Sequence, residues 1–279
     1  MYLKKIFAYA LVLTSMFIGL VNAGNLGLNP LKKDFHEVFE NIETPKNGTL
    51  SADGAVKTAT MEIADNNLSF SQAKKKLPLI FKKLDNPKTL YCGCDIKFKR
   101  NGYDVDLDSC GYKIRASRQR AQRLEAEHIV SAWEFAHNLQ CWQQGGRKNC
   151  ARTDEVYKEI EGDLHNLYPA VGEINSDRAN FKFAKDVKAP HNYGKCEMRI
   201  DTKRQRVSPP PRSRGIIART YLYMHERYQV PLSRAELGLF NEWNKAYPPT
   251  RNECIRNQEI AKIQGNDNPF VTAKCKKVK

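Results

Sequence analysis

Forty-six Lys and Arg residues against 31 Asp and Glu give this 279-residue chain a formal charge of +15. It is long enough to bury a core without metals or disulfide staples, and beyond its first 23 residues no segment is apolar enough to cross a membrane. A cationic excess of this size points to a polyanionic partner, nucleic acid or an anionic membrane surface, and charge alone does not choose between them.

Lys4 and Lys5 precede an apolar run over residues 6–20, which leaves through Val21-Asn22-Ala23. A charged start, a short apolar stretch and a small-residue exit read as a cleaved signal peptide, residues 1–23. A membrane anchor fits less well, because the run is short and Thr14 and Ser15 interrupt it. Cleavage removes two lysines and no acids, leaving +13. Export places Cys92, Cys94, Cys110, Cys141, Cys150, Cys196, Cys254 and Cys275 in an oxidising compartment, where an even number reads as disulfides. The rival zinc reading lacks any C-x-x-C pair. Cys141 and Cys150 close a short loop and can pair; the other pairings stay open. Residues 24–67 read as an extension. Turn-rich stretches at 24–30 and 45–54 flank a short amphipathic helix marked by Phe35, Val38, Phe39 and Ile42, and no chemistry is assigned to it.

From Leu68 the apolar pattern is denser, and residues 68–279 read as one domain. Phe70, Ala73 and Leu77 predict a helix that Pro78 interrupts. Residues 95–99 and 110–115 predict short strands flanking the turn signal Asn101-Gly102. A basic run follows at Lys113, Arg115, Arg118, Arg120 and Arg123. Residues 124–129 predict a strand that gives way to a helix near Ser131, with Glu134 at capping-box spacing. Gly145-Gly146-Arg147-Lys148 reads as a loop, and residues 163–169 as an extended segment feeding a short helix from Gly172. Three prolines at 209–211 make a stiff break before a helical C-terminal third. There Ile216, Ile217, Tyr221 and Met224 fit one face, Leu237, Phe240 and Trp243 another, and Ser233 with Glu236 caps the second helix. The sum is an α+β fold, mostly helical with short strands.

The chemistry gathers at Glu127-His128 and, 38 residues on, Asn166. Neighbours on a strand point to opposite faces, so Glu127 and His128 do not share a core. Phosphodiester hydrolysis needs water deprotonated near neutral pH, which is where histidine titrates. It also needs a hard cation to neutralise charge on the phosphate and the leaving oxygen. A carboxylate, an amide oxygen and several waters suit magnesium. Against this stands the plainer reading of a lone histidine as a hydrogen-bonded structural residue.

Three stretches weigh against the plainer reading: Glu127-His-Ile-Val-Ser-Ala-Trp-Glu-Phe-Ala-His137; Gln140-Cys-Trp-Gln-Gln-Gly-Gly-Arg-Lys-Asn-Cys150; and Asp163-Leu-His-Asn-Leu-Tyr-Pro-Ala-Val-Gly-Glu-Ile-Asn-Ser-Asp-Arg-Ala-Asn180. With Tyr91-Cys-Gly-Cys94, Asp108-Ser-Cys-Gly-Tyr112, Gly215-Ile-Ile-Ala-Arg-Thr-Tyr221 and Ala261-Lys-Ile-Gln-Gly-Asn266, the chain from Leu68 onward resembles the bacterial endonuclease I family, periplasmic or secreted nucleases with a ββα-metal active site. The resemblance implies His128 as general base, Glu127 and Asn166 as metal ligands, and Arg147 on the phosphate. It implies action on DNA and RNA with little sequence preference, generally with magnesium.

Two positions depart from the family pattern: Ala126 stands where an aromatic residue is usual, and Ser131 where proline is usual. Strand alternation turns His165 away, so it reads as a structural residue or as one that supports the ligands from behind; Asp177, Arg178 and Asn180 read equally as ligand-orienting residues or as caps and surface pairs. The expectation is an exported, monomeric, metal-dependent, sequence-nonspecific endonuclease. Its competitors are a non-catalytic exported nucleic-acid-binding protein on the same scaffold and a basic, disulfide-linked surface-interaction protein. The presence of base, carboxylate and amide together argues for the enzyme.

Overall fold

The computed structural model describes residues 68–275, so the leader expected at 1–23 and the extension at 24–67 lie outside the described residues. Ser69 and Gln72 exchange hydrogen bonds in a capping box that starts α1 (Phe70–Phe81). Pro78 lies inside α1 and does not end it, contrary to expectation. The N–H that proline lacks would have met the carbonyl of Lys74, whose residue is exposed to water. Leu77, Ile80 and Phe81 are buried on the other side. Burying three such side chains, at about 1.5–3 kcal/mol each, outweighs the ~3 kcal/mol of an internal proline.

β1 (Asp95–Lys99) pairs antiparallel with β2 (Gly102–Asp106), Lys99 opposite Gly102 and Phe98 opposite Tyr103. The partner strand is therefore not residues 110–115. The chain reverses over Arg100 and Asn101, and Tyr103 and Val105 alternate with Asp104 and Asp106 immediately afterwards, a period-two pattern that pairs at once. Residues Asp108–Cys110 form a short 3-10 turn, tied back by the Cys94–Cys110 disulfide.

A short helix α2 (Arg118–Ala121) leads into β3 (Leu124–His128). β3 pairs antiparallel with β4 (Leu167–Val171), Glu127 opposite Tyr168 and His128 opposite Leu167. Between the two strands run α3 (Ala132–Ala136), α4 (Gln140–Gln143), α5 (Gly146–Thr153) and α6 (Glu155–Gly162). Ser131 and Glu134 form the expected capping box on α3, so serine starts this helix by hydrogen bonding. Arg147, expected in a loop, instead sits in the first turn of α5. The Cys141–Cys150 disulfide, the one pairing the spacing suggested, and the bond from Asn149 Nδ2 to the Cys141 carbonyl fold α5 back on α4.

α7 (Gly172–Arg178) follows β4 and packs on both strands, completing a ββα unit. Beyond it, β5 (Lys182–Phe183), β6 (Arg199–Asp201) and β7 (Arg206–Ser208) form a small sheet in the order β5-β7-β6. α8 (Pro211–Tyr228) opens with Pro211 in its first turn, where a missing N–H is harmless, and α9 (Arg234–Ala246) opens with the expected Ser233–Glu236 box. α10 (Arg251–Gln264) and α11 (Pro269–Cys275) end the described chain. The main core joins Leu77 and Phe81 of α1, Leu167 of β4, Ile174 of α7, Tyr221 of α8 and Trp243 of α9. All eight cysteines are paired, the remaining bonds being Cys92–Cys196 and Cys254–Cys275. The fold is α+β, as the sequence implied.

Candidate active site

The end of β3 and the start of β4 bring three of the four expected residues together. His128 closes β3, Asn166 immediately precedes β4, and the Ile129 N–H donates to the Asn166 carbonyl at 3.0 Å. The Asn166 side chain is fully buried and reads the backbone of Val130 with both ends. Its Oδ1 accepts from the Val130 N–H at 2.8 Å, and its Nδ2 donates to the Val130 carbonyl at 2.9 Å. An amide oxygen has two lone pairs, so one remains on Oδ1.

Alternation along β3 sends Glu127 and His128 to opposite sides, as expected. On one side, the His128 ring lies 4.7 Å from that of Phe70 on α1, and its Nε2 is 2.8 Å from the carbonyl of Glu161 on α6. Gly162 permits this meeting, since a Cβ there would stand 1.7 Å from the Leu68 carbonyl and push α1 off α6. A carbonyl only accepts, so Nε2 carries the proton and Nδ1 presents its lone pair. Burial, the cations Arg147, Arg178 and Lys74 take the His128 pKa down to about 3, against the bond to Glu161, and the ring is neutral at physiological pH.

Arg147 belongs to the same side. Its Nε donates to Glu161 Oε1 at 2.7 Å, Tyr157 donates to the same oxygen at 2.9 Å, and its guanidinium carbon lies 5.2 Å from the centre of the Phe70 ring. Glu161 thus holds the histidine with its backbone and the arginine with its side chain. Nearly half of the Arg147 side chain remains exposed, enough to meet a ligand.

On the other side, Glu127 is 2% exposed. Its Oε1 accepts from the Tyr91 hydroxyl at 2.6 Å and lies 3.4 Å from Arg178 Nη1, while Oε2 accepts no hydrogen bond among the described residues. Burial pushes the Glu127 carboxyl up to about 7, against the pull of Arg178 and Tyr91. Arg178, also buried, donates to the carbonyls of His128 at 3.1 Å and Ile129 at 2.7 Å, so a single guanidinium spans three successive positions of the strand end. Glu134, held by Tyr221, balances its charge at 3.8 Å.

Residues 69–275 match the family described as Endonuclease I. The chain is 49% identical over 208 residues to an extracellular deoxyribonuclease of Aeromonas hydrophila, covering 74% of this chain and 90% of that protein. It is 49% identical to a periplasmic deoxyribonuclease of the same organism, covering 74% and 86%. An Endonuclease-1 of Buchnera aphidicola is 50% identical over 191 residues, covering 68% and 76%. The chain belongs to the endonuclease I family. It is an exported endonuclease acting on nucleic acid, and the non-catalytic readings are set aside. Among the described residues no helix is long and apolar enough to cross a membrane.

Endonuclease I nucleases generally depend on a divalent metal, and the donors here fit a hard one. Glu127 Oε2 and the spare lone pair of Asn166 Oδ1 are both oxygens of the kind a hard cation takes, and among the described residues no group of three or more His, Cys, Asp or Glu is placed to hold a metal ion.

Sequence reasoning missed Tyr91 and Glu161 as parts of this site and left Arg178 undecided. Tyr91 stood within one of the matching motifs; Glu161 carried no signal, since its role at His128 is through its backbone. His165 is buried, its Nε2 3.0 Å from the Asn266 carbonyl.

Proposed function

We propose that this endonuclease hydrolyses phosphodiester bonds in DNA, and also in RNA, with little sequence preference. His128 is the general base, Arg147 grips the phosphate, and Glu127 with Asn166 holds magnesium or another hard divalent cation. The observation that carries this reading is the bond between His128 Nε2 and the Glu161 carbonyl, which keeps Nδ1 free to take a proton from the attacking water. Burial does most to hold the His128 pKa down and Arg147 adds to it; a phosphate arriving at Arg147 offsets that second contribution, which strengthens the base when substrate is in place. The cation would neutralise charge developing on the phosphate and on the leaving oxygen.

DNA as substrate follows the deoxyribonuclease names of the relatives. Contacts to phosphates read neither base nor sugar, which supports RNA and a broad sequence range. All four groups come from one chain, which supports a monomer as the active unit. The test is His128→Ala in a plasmid-nicking assay with magnesium. The rate should fall by about a hundred- to ten-thousand-fold while DNA affinity stays within threefold. More than a tenth of the wild-type rate would remove His128 from the role.

A further inference from the structure

The side of β3 that carries His128 continues along the strand. Leu124 and Ala126 alternate with Glu125 and Glu127, so they project on the His128 side. Both line an open cleft of about 580 Å³ between α1 and the tip of the β1–β2 hairpin. That is the size of a small-ligand site. Ala126 is two residues from His128, or about 7 Å along a strand.

The cleft is charged in one sense only. Lys74 and Lys75 from α1 and Arg100 from the hairpin tip line it, and no carboxylate does. None of the three pairs with an acid among the described residues. On the opposite face of the same hairpin, Lys97 and Lys99 are neutralised by Asp106 and Asp104. The uncompensated cations therefore face the cleft, and Lys74 connects them to the catalytic groups. Its Nζ lies 4.6 Å from the centre of the Phe70 ring, the ring that also meets His128 and Arg147. The walls are apolar and aromatic: Leu79 is 58% exposed there, and the Tyr103 hydroxyl makes no hydrogen bond among the described residues.

We propose that this cleft is a nucleotide subsite, seating the nucleotide next to the scissile phosphate. Its flanking phosphates meet Lys74, Lys75 and Arg100, and its base or sugar lies against Tyr103, Leu79 and Ala126. The proposal rests on His128 being the base, which places the scissile phosphate at this end of the strand. Stacking on an aromatic wall tolerates any base, because every base has a π-face.

The test is the binding of a fluorescein-labelled single-stranded hexadeoxynucleotide to the full chain in chelator, read by anisotropy across a salt series. Two charge-matched pairs are compared: Lys75→Ala with Arg100→Ala, and Lys97→Ala with Lys99→Ala. The cleft pair should weaken binding tenfold or more and flatten the log–log salt slope by about 1.4, since each phosphate on a single strand contributes ~0.7. The hairpin pair should change affinity by less than twofold. Tyr103→Ala removes the aromatic wall of the cleft and should weaken binding about tenfold with the salt slope unchanged. Equal weakening by the two pairs, or full affinity in a folded Tyr103→Ala protein, overturns the proposal. No cleavage occurs in chelator, so this outcome is independent of whether His128→Ala loses turnover.

Discussion

Glu127→Gln should make the metal-free protein more stable at alkaline pH while stopping catalysis. Glu127 is buried and its carboxyl is pushed up from an ordinary 4.5 to about 7. A folded-state acid with a raised pKa holds a proton that the unfolded chain gives up between those two values. The wild type consequently loses stability as pH rises from 4.5 to 7, by ~1.4 kcal/mol per unit, and stays at the lower level above that. The loss sums to about 3 kcal/mol. Glutamine keeps an oxygen for the Tyr91 hydroxyl, never ionises, and escapes the loss. By scanning calorimetry in chelator, Glu127→Gln should match the wild type at pH 4.5 and exceed it at pH 8. For a domain of this size each kcal/mol is worth roughly 2–4 °C, so the gain should be about 6–12 °C. Magnesium at a thousand times Kd should reverse the order, because only the wild type gains strongly from a bound cation, by ~4.1 kcal/mol at that concentration. A lower midpoint for Glu127→Gln at pH 8 would refute the reasoning: the carboxylate would then be a net stabiliser through Arg178.

Arg147→Ala should lower kcat by about a hundred- to a thousand-fold. Because Arg147 helps depress the His128 pKa, the variant should also move the acid limb of the pH–rate profile to higher pH, and an unmoved limb separates the two residues. Asn166→Ala should raise the magnesium requirement without adding fully to a Glu127 variant, since both act on one cation; unchanged magnesium binding by titration calorimetry removes Asn166 from the coordination shell. Reducing all four disulfides should inactivate the enzyme, native bonds in exported domains contributing about 2–5 kcal/mol each. Full activity with eight thiols counted by mass spectrometry contradicts this.

Local signals carried much of the fold. The Ser131–Glu134 and Ser233–Glu236 boxes start helices where their spacing said they would, because a cap is satisfied within four residues of backbone. β3 ran one residue shorter than expected, and Cys141 met Cys150, partners near in sequence. The errors arose where distant contacts outweighed local preference. Pro78 was read as an interruption, yet α1 continues to Phe81 because its buried face packs on β4 and α6. The Gly145-Gly146 signal suggested a loop at Arg147, yet a disulfide and Asn149 held the segment as a helix.

The candidate site divides the same way. Sequence alone determined which groups the site holds: a histidine and a carboxylate adjacent on a strand, an amide 38 residues away, and a basic surplus suited to phosphates. These follow from residue types and from the two-residue period of a strand. Tertiary structure decided the environment of each group. Which imidazole nitrogen is free depends on a carbonyl 33 residues downstream, and Glu127 is hard to ionise because the surrounding core excludes water from it, against the pull of Arg178 and Tyr91. Protonation and hydrogen bonding depend on burial and on neighbours from other elements, and those neighbours are set only when α1, α6 and α7 close around the end of β3.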